Sequence, residues 1–168
     1  LEEGHVTAEK FVGGWAGAMG QNQFIPSSFL SYAADFDGDG KKNIWSSRAD
    51  VWASIANYLS KNGWRKGAGW GTRVELPADL DLESLPRPEA DKSCRALRHH
   101  TAKLSLAEWQ SRGIRAAKSL SDAQPYALVI PDAEVKTSYL VGGNFRTILH
   151  YNCANKYAVS VGLLADQI

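Results

Sequence analysis

Two neighbouring motifs shape the first part of this chain: Gly17-Ala18-Met19-Gly20-Gln21-Asn22-Gln23-Phe24-Ile25-Pro26-Ser27-Ser28, and after it Asp35-Phe36-Asp37-Gly38-Asp39-Gly40. The first motif predicts a tight, glycine-lined turn that presents the amides of Gln21 and Gln23. Its small side chains would let a polymer approach the backbone, and an amide both donates to and accepts from sugar hydroxyl and acetamido groups. Pro26 predicts the start of a helix, because proline is tolerated in a first turn. From the residues alone, a helix end followed by a loop is the competing interpretation.

The second motif predicts a cation-binding loop. Asp35, Asp37 and Asp39 occupy alternate positions and Gly40 follows them, as in the first half of an EF-hand loop. Ser46 stands where such a loop would end with a bidentate glutamate, so the closing carboxylate would come from the following helix. A solvated Asp-Gly turn is the alternative. The predicted calcium ligands are Asp35, Asp37, Asp39, Lys41 through its backbone carbonyl, and Asp50.

The composition is that of an ordinary globular protein. The 168 residues are 44% hydrophobic and 22% charged, which suits one compact domain or a domain with a small lobe. The net charge of +1 gives no argument for nucleic acid as a partner. The apolar runs are far shorter than a membrane span, so no transmembrane segment is predicted. Cys94 and Cys153 lie far apart, which disfavours zinc and leaves two buried thiols or one disulfide as the alternatives.

The hydrophobic patterns predict an α+β fold in three segments. Residues 1–66 would form a helical lobe, residues 67–145 a mixed insertion, and residues 146–168 a C-terminal helix that returns to that lobe. Capping boxes predict helix starts at Ser47-x-x-Asp50 and Ser105-x-x-Glu108. Strands are predicted at residues 73–76, 127–130 and 135–141, and a break in the last helical segment near residues 152–155.

A third motif, Tyr151-Asn152-Cys153-Ala154-Asn155-Lys156-Tyr157-Ala158, lies at this break. Together with the glutamine turn and the acidic loop, it resembles the lytic murein transglycosylase B family. The resemblance implies a lysozyme-like α+β fold, a calcium site in the acidic loop, and a bacterial, periplasmic or envelope-associated location. It also implies cleavage of the β-1,4 bond between N-acetylmuramic acid and N-acetylglucosamine, with formation of 1,6-anhydro ends. The cleft-lining residues it implies are Gln23, Tyr58, Tyr151, Asn152 and Tyr157.

The chain departs from the family pattern at the site itself. Gly14 and Ala154 stand where the family commonly has serine. The family's catalytic glutamate lies upstream of the glutamine turn, and Glu2 and Glu3 do not match its position. We therefore expect no catalytic residue in this chain, which would be a fragment, a nicked product or a truncated homologue, with the missing N-terminal portion as a possible partner.

Two other functions compete with the transglycosylase. A non-catalytic peptidoglycan-binding module stabilised by calcium is the first alternative. A calcium-sensing EF-hand protein is disfavoured, because the chain has one such loop and its closing glutamate is absent. Residues 87–118 hold eight Lys or Arg against three acidic residues, which is typical of a solvated face, although peptidoglycan stems carry carboxylates that such a patch could bind.

Overall fold

A computed structural model describes residues 1–89, 91, 93–132, 134–135 and 137–168. The chain divides after Asn62 into two compact units, Leu1–Asn62 and Gly63–Ile168. Each unit has its own buried core.

The first unit consists of turns and two α-helices. A short 3-10 helix, Ala8–Lys10, is followed by α1 (Pro26–Tyr32) and α2 (Arg48–Lys61). Pro26 is at the first position of α1, and the Ser47 hydroxyl caps α2 by accepting a hydrogen bond from the Asp50 backbone. Both helix starts were predicted. The unit's buried apolar side chains are Met19, Phe24, Ala33, Ile44 and Val51.

The second unit is built on a four-stranded antiparallel sheet. Its strands are β1 (Gly71–Glu75), β2 (Arg115–Ala116), β3 (Ala127–Val129) and β4 (Ser138–Val141), in the spatial order β2-β1-β4-β3. β4 lies in the centre, pairing Tyr139 with Arg73 on one side and with Val129 on the other. Its four residues are all buried, because both faces of the sheet are covered.

Helices cover the two faces of this sheet. α4 (Gly143–Tyr151) and α5 (Asn155–Ala165) pack on the face that carries Val129 and Val141, while α3 (Leu106–Ser111) packs on the face of Leu128 and Leu140. Successive residues of one strand therefore pack into different hydrophobic cores, one on each face of the sheet. α3 starts with the predicted capping box, in which Ser105 and Glu108 exchange hydrogen bonds.

Two features fix α5 against the rest of the unit. Cys94 and Cys153 form a disulfide with a Cα–Cα distance of 5.5 Å, which settles the alternative left open by the sequence. Gly162 lies against the indole of Trp70, where an added Cβ would come within 2.4 Å of the ring. Only glycine allows this approach without displacing a neighbour.

The structure confirms the α+β class and most of the predicted elements. The observed strands overlap the predicted segments 73–76, 127–130 and 135–141; β1 begins two residues before the first of these, and Lys136 lies outside the described residues. The two-residue strand β2 was not predicted. In the described part of the chain, no helix combines the length and apolarity needed to cross a bilayer.

Candidate functional site

The glutamine motif forms a short hairpin. Met19 and Phe24 exchange backbone hydrogen bonds of 2.8 and 3.0 Å, which leaves Gly20–Gln23 as the loop. Gly20 has a positive φ of 65°, and a Cβ there would lie 2.6 Å from the carbonyl oxygen of Ile44. Glycine is therefore required at position 20 for two reasons: the positive φ, and the lack of room for a Cβ atom. The predicted glycine-lined turn is present.

The two glutamines of this hairpin have different surroundings. Gln21 donates its backbone N–H to Ile44 and its side-chain amide to the carbonyl of Trp45, at 2.9 and 3.0 Å. It thereby ties the hairpin to the segment before α2. Gln23 is exposed, and its Nε2 donates to the Gly20 carbonyl at 2.8 Å. Within the described residues its Oε1 accepts no hydrogen bond, so this oxygen is available to a donor on a ligand.

Gln23 also has a special backbone conformation. Its φ is 53°, the one positive φ at a non-glycine residue in the described ranges. A left-handed conformation costs a residue with a Cβ about 1 kcal/mol or more. The hairpin holds Gln23 in this conformation despite the cost in free energy. The conformation in turn sets the direction of the Gln23 side chain.

Tyr58 lies on α2 beside the hairpin. Its ring centroid is 5.7 Å from that of Phe24 and 4.6 Å from that of Tyr32. Partial burial, and then the neighbouring phenol of Tyr32, raise the pKa of Tyr58 above its usual 10.0. The hydroxyl therefore stays protonated at neutral pH and can donate a hydrogen bond.

The third motif forms the junction between α4 and α5. Tyr151 ends α4 and is half-buried, Asn152 is exposed in an extended conformation, and Tyr157 is 37% exposed in the first turn and a half of α5. The Asn152 carbonyl accepts a 2.8 Å hydrogen bond from the backbone of Ala154. The predicted break between the two helices is therefore present, and it presents polar side chains at the surface.

A buried network supports this junction, and sequence reasoning did not find it. The Asn155 side chain donates to the Ala96 carbonyl at 3.1 Å, and its Oδ1 lies 2.8 Å from Nε2 of His100. Burial lowers the pKa of His100 below 6.5, and Asn155 partly opposes this shift. The paired His99-His100 sequence was the available signal, but nothing in the sequence indicated which histidine would be buried.

The predicted cleft residues are distributed between the two units. Gln23 and Tyr58 lie in the first, and Tyr151, Asn152 and Tyr157 in the second. In the first unit, Phe24 of the hairpin contacts Tyr58, so Gln23 and Tyr58 lie near each other. In the second unit, Tyr151, Asn152 and Tyr157 all belong to the α4–α5 junction or to the adjoining helix turns.

The acidic loop is organised around Asp50. This side chain is 1% exposed, and its two carboxylate oxygens accept hydrogen bonds from the backbones of Phe36 and Asn43, at 2.9 and 2.8 Å. Asp35 accepts from Gly38 and Gly40 at 2.8 and 2.9 Å. These bonds hold the loop in one conformation and fix the direction of both carboxylates.

Three carboxylates converge in this loop. Oxygen atoms of Asp35, Asp37 and Asp50 lie within 4.8 Å of one another. Asp39 is not in this group, and its Oδ1 accepts a 2.8 Å hydrogen bond from the backbone of Lys41. Carboxylates at this separation repel one another and favour a cation between them. An all-oxygen donor set fits a hard divalent ion such as calcium.

Comparisons with known proteins show the family to which the chain belongs. Residues 1–166 match the family model described as the transglycosylase SLT domain. The chain belongs to this family. The SLT domain is 33% identical over 157 residues to membrane-bound lytic murein transglycosylase B of Escherichia coli strain K12, an alignment that covers 93% of this chain and 39% of the relative. The predicted relation to the lytic murein transglycosylase B family is confirmed.

Solved structures share the fold of this SLT domain. SltB3 of Pseudomonas aeruginosa, in complex with NAG-NAM-pentapeptide, superposes with a TM-score of 0.83 at 40% identity, over 99% of this chain and 42% of that one. Escherichia coli Slt35, in complex with calcium, gives a TM-score of 0.70 at 33% identity, over 92% and 45% of the respective chains. The predicted lysozyme-like α+β fold is confirmed. The SLT domain spans less than half of each of these relatives.

Proposed function

We propose that this SLT domain belongs to a peptidoglycan lytic transglycosylase, which cuts the β-1,4 bond between N-acetylmuramic acid and N-acetylglucosamine without water. The observation that carries the proposal is the 40% identity, over 99% of the chain, to an SltB3 structure that holds NAG-NAM-pentapeptide. The Escherichia coli relative is named as a membrane-bound lytic murein transglycosylase, and the proposed location is therefore the periplasm or the cell envelope.

In the proposed reaction the muramic acid 6-hydroxyl attacks its own anomeric carbon. The bond to the N-acetylglucosamine oxygen breaks, that oxygen takes a proton, and the product carries a 1,6-anhydro ring. One carboxyl group would give the proton to the leaving oxygen and then remove the proton of the 6-hydroxyl. The atoms balance without water.

The residues of this chain would bind and orient the glycan. Oε1 of Gln23 would accept from a hydroxyl or acetamido N–H of the glycan, and the Tyr58 hydroxyl would donate to it. The proposed contacts of the second unit are Tyr151, Asn152 and Tyr157. Hydrogen bonds that position the sugar ring lower the barrier to the extent that they strengthen in the charged transition state.

We propose that the acid/base carboxyl lies outside these residues and that this chain alone is inactive. A general acid at neutral pH needs a raised pKa. In the second unit, side-chain hydrogen bonds are the first cause that lowers the pKa of the carboxyl groups of Asp91, Glu108 and Asp132, which is opposite to what a general acid needs. In the first unit, Asp35, Asp37 and Asp50 are committed to the acidic loop.

We propose calcium as a structural ion of the acidic loop. Asp35, Asp37 and Asp50 would supply carboxylate oxygens, with the Lys41 carbonyl as a further ligand and Asp39 in an outer position. The ion would neutralise the charge that gathers beside α2 and so stabilise the first unit; it would take no part in the reaction.

The test compares the purified chain with a chain extended upstream. Both are incubated with peptidoglycan, and soluble products are analysed by mass spectrometry for 1,6-anhydro ends. We expect products from the extended enzyme only, and loss of a general acid typically costs about 10² to 10⁴ in rate. Efficient release of anhydro products by this chain alone would refute the missing-acid proposal. Absence of products from both would refute the transglycosylase.

The second candidate is a non-catalytic peptidoglycan-binding module stabilised by calcium. The polar side chains at the hairpin and at the α4–α5 junction favour it, because binding needs them and does not need an acid. Sedimentation of the chain with insoluble peptidoglycan, without release of products from the extended form, would select this function.

A further inference from the structure

The second unit has an open sheet edge at β2. The strand order β2-β1-β4-β3 leaves two outer strands, and the outer side of β3 is bridged by His100 and, one residue before the strand, by Leu104. In β2, Arg115 and Ala116 are both exposed, and in the described part of the chain no further strand pairs with their outer side. An edge strand of this kind offers its backbone groups to another chain.

The register shows which backbone groups of β2 face outward. Ala117 donates its N–H to the Arg73 carbonyl at 2.9 Å, so the hydrogen-bonding groups of residues 115 and 117 point towards β1. Ala116 lies opposite Val74 and alternates with them, so its N–H and carbonyl point away from the sheet. Neither group has a hydrogen-bond partner among the described residues. Ala116 therefore offers one donor and one acceptor to an added strand.

A groove of about 820 Å³ lies along this edge. Its lining includes the apolar side chains of Leu106 and Ile114. Both belong to the hydrophobic core on the α3 side of the sheet, and so does Val74, which lies opposite Ala116. A strand added beside β2 would direct alternate side chains to this side, because side chains alternate between the two faces of a sheet. The groove therefore suits a segment with an apolar residue at every second position.

The charges of the edge determine what suits the other face. Arg115 lies opposite Glu75 in the register, and no ion pair joins Arg115 to any described residue. Lys118 also lines the groove and pairs with Asp166 at 3.0 Å. Among the described lining residues these two cations stand against one carboxylate, Asp122. A carboxylate on the added strand, on the face of Arg115, would gain a cross-strand ion pair.

We propose that the β2 edge binds an extended segment of a partner protein, in which apolar and acidic residues alternate, as an added strand. The apolar side chains would enter the groove beside Leu106 and Ile114, and the acidic ones would lie on the face of Arg115. A second copy of this chain fits less well, because two paired β2 strands would bring the Arg115 and Lys118 side chains of both copies to one edge. The predicted glycan contacts lie outside the groove, so the inference goes beyond the proposed function.

Fluorescence anisotropy with synthetic peptides tests the proposal on the whole chain. The probe is a labelled peptide of alternating valine and glutamate with blocked ends, and a valine–lysine peptide is its charge control. Ala116→Pro removes the outward N–H, which an edge strand tolerates, and the matched variant Ala116→Val keeps it. Arg115→Glu reverses the charge, and Arg98→Glu, at an exposed position outside the groove, is its control. Thermal unfolding checks that each variant folds.

We expect the valine–glutamate peptide to bind the wild-type chain, Ala116→Val and Arg98→Glu equally. Ala116→Pro should weaken binding about tenfold, because a backbone hydrogen bond is lost and the proline ring crowds the added strand. Arg115→Glu should weaken it about fivefold, as an exposed ion pair becomes a repulsion. Equal binding of the valine–lysine peptide, or unchanged binding by Ala116→Pro, would overturn the proposal.

Hydrogen exchange gives a measurement that needs no variant. The backbone amide of Ala116 should exchange more slowly when the valine–glutamate peptide is bound, because the peptide accepts its hydrogen bond. Unchanged exchange at Ala116 in the presence of bound peptide would place the peptide elsewhere and overturn the proposal.

Sedimentation of the chain without peptide distinguishes a partner from a second copy. We expect a monomer at concentrations where the peptide binds. A dimer that Ala116→Pro dissociates would assign the β2 edge to self-association and overturn the proposed partner.

Discussion

Single residues carry most of the proposed chemistry, and Gln23 shows how backbone and side chain are linked. Its positive φ places strain at the residue whose amide oxygen is available to a ligand. Backbone strain is retained at positions where the surrounding structure holds it. The motif allowed the turn to be predicted, but the left-handed glutamine could not be, because glycine or asparagine is the usual residue in that conformation.

Replacement of Gln23 should separate stability from binding. Gln23→Gly removes the side chain and relieves the positive φ, so we expect the free energy of unfolding to stay equal or rise by up to about 1 kcal/mol. Binding of glycan strands should weaken about tenfold, because a ligand donor loses its acceptor. Thermal unfolding and sedimentation with peptidoglycan measure the two effects. Gln23→Ala, which keeps the strain, should lose the binding alone.

His100 should make stability depend on pH. Burial lowers the pKa of His100 below 6.5, so below that pH the unfolded chain takes up a proton that the folded chain does not. Stability is therefore expected to fall as the pH decreases from 6.5 towards the lowered pKa of folded His100. Urea unfolding at pH 7.5 and at pH values below 6.5 measures this. His100→Gln should show a smaller decrease, whereas His99→Gln, at an exposed position, should behave like wild type.

At the scale of elements, the acidic loop and α2 form one unit of structure. The sequence predicted five ligands from spacing, and the structure gathers three carboxylates, Asp35, Asp37 and Asp50. Asp50 could be anticipated because it lies on the first turn of the following helix. That Asp39 lies outside this group could not be anticipated, because its carboxylate instead accepts a hydrogen bond from the Lys41 backbone.

Calcium should stabilise the first unit through this group of carboxylates. At a concentration a hundredfold above its dissociation constant, a ligand specific for the folded state adds about 2.7 kcal/mol. We expect a rise in the unfolding temperature with calcium and its loss with a chelator. Asp37→Ala should abolish the shift, and Asp39→Ala should retain most of it. A wild-type protein indifferent to calcium would rule out the site.

The junction between α4 and α5 was only partly predictable from the sequence. The break itself was predictable, because Asn152 and Cys153 interrupt the apolar pattern. The partners that hold it were not, because Asn155 reaches residues more than fifty positions earlier in the chain, Ala96 and His100. Contacts of this separation leave no local periodicity.

At the scale of the whole molecule, the disulfide links distant parts of the second unit. Cys94 and Cys153 are 59 residues apart, and their bond joins the segment before the buried histidine to the helix junction. Closing a loop of this length typically contributes 2–5 kcal/mol, roughly, to the free energy of unfolding. The oxidised state also agrees with the proposed location outside the cytoplasm.

Removal of the disulfide should destabilise the second unit and weaken glycan binding. The double variant Cys94→Ser/Cys153→Ser should unfold at lower denaturant concentration, by about 2–5 kcal/mol. Equilibrium unfolding in guanidinium measures the change. Glycan binding under native conditions should fall as well, because Tyr151, Asn152 and Tyr157 flank the bridge. Unchanged binding would mean that the Asn155 network alone positions these residues.

The same bridge closes residues 94–153 into a covalent ring that contains β2, β3 and β4 but not β1. A protease that cuts the exposed stretch before β3, for example at Lys118, would open the ring without releasing a fragment. The cut ends would stay tethered through the bridge, and β1 would still find its partners β2 and β4 on the two halves. A single cut inside the ring would therefore leave the two pieces covalently joined, and the bridge would have to be reduced before they could separate.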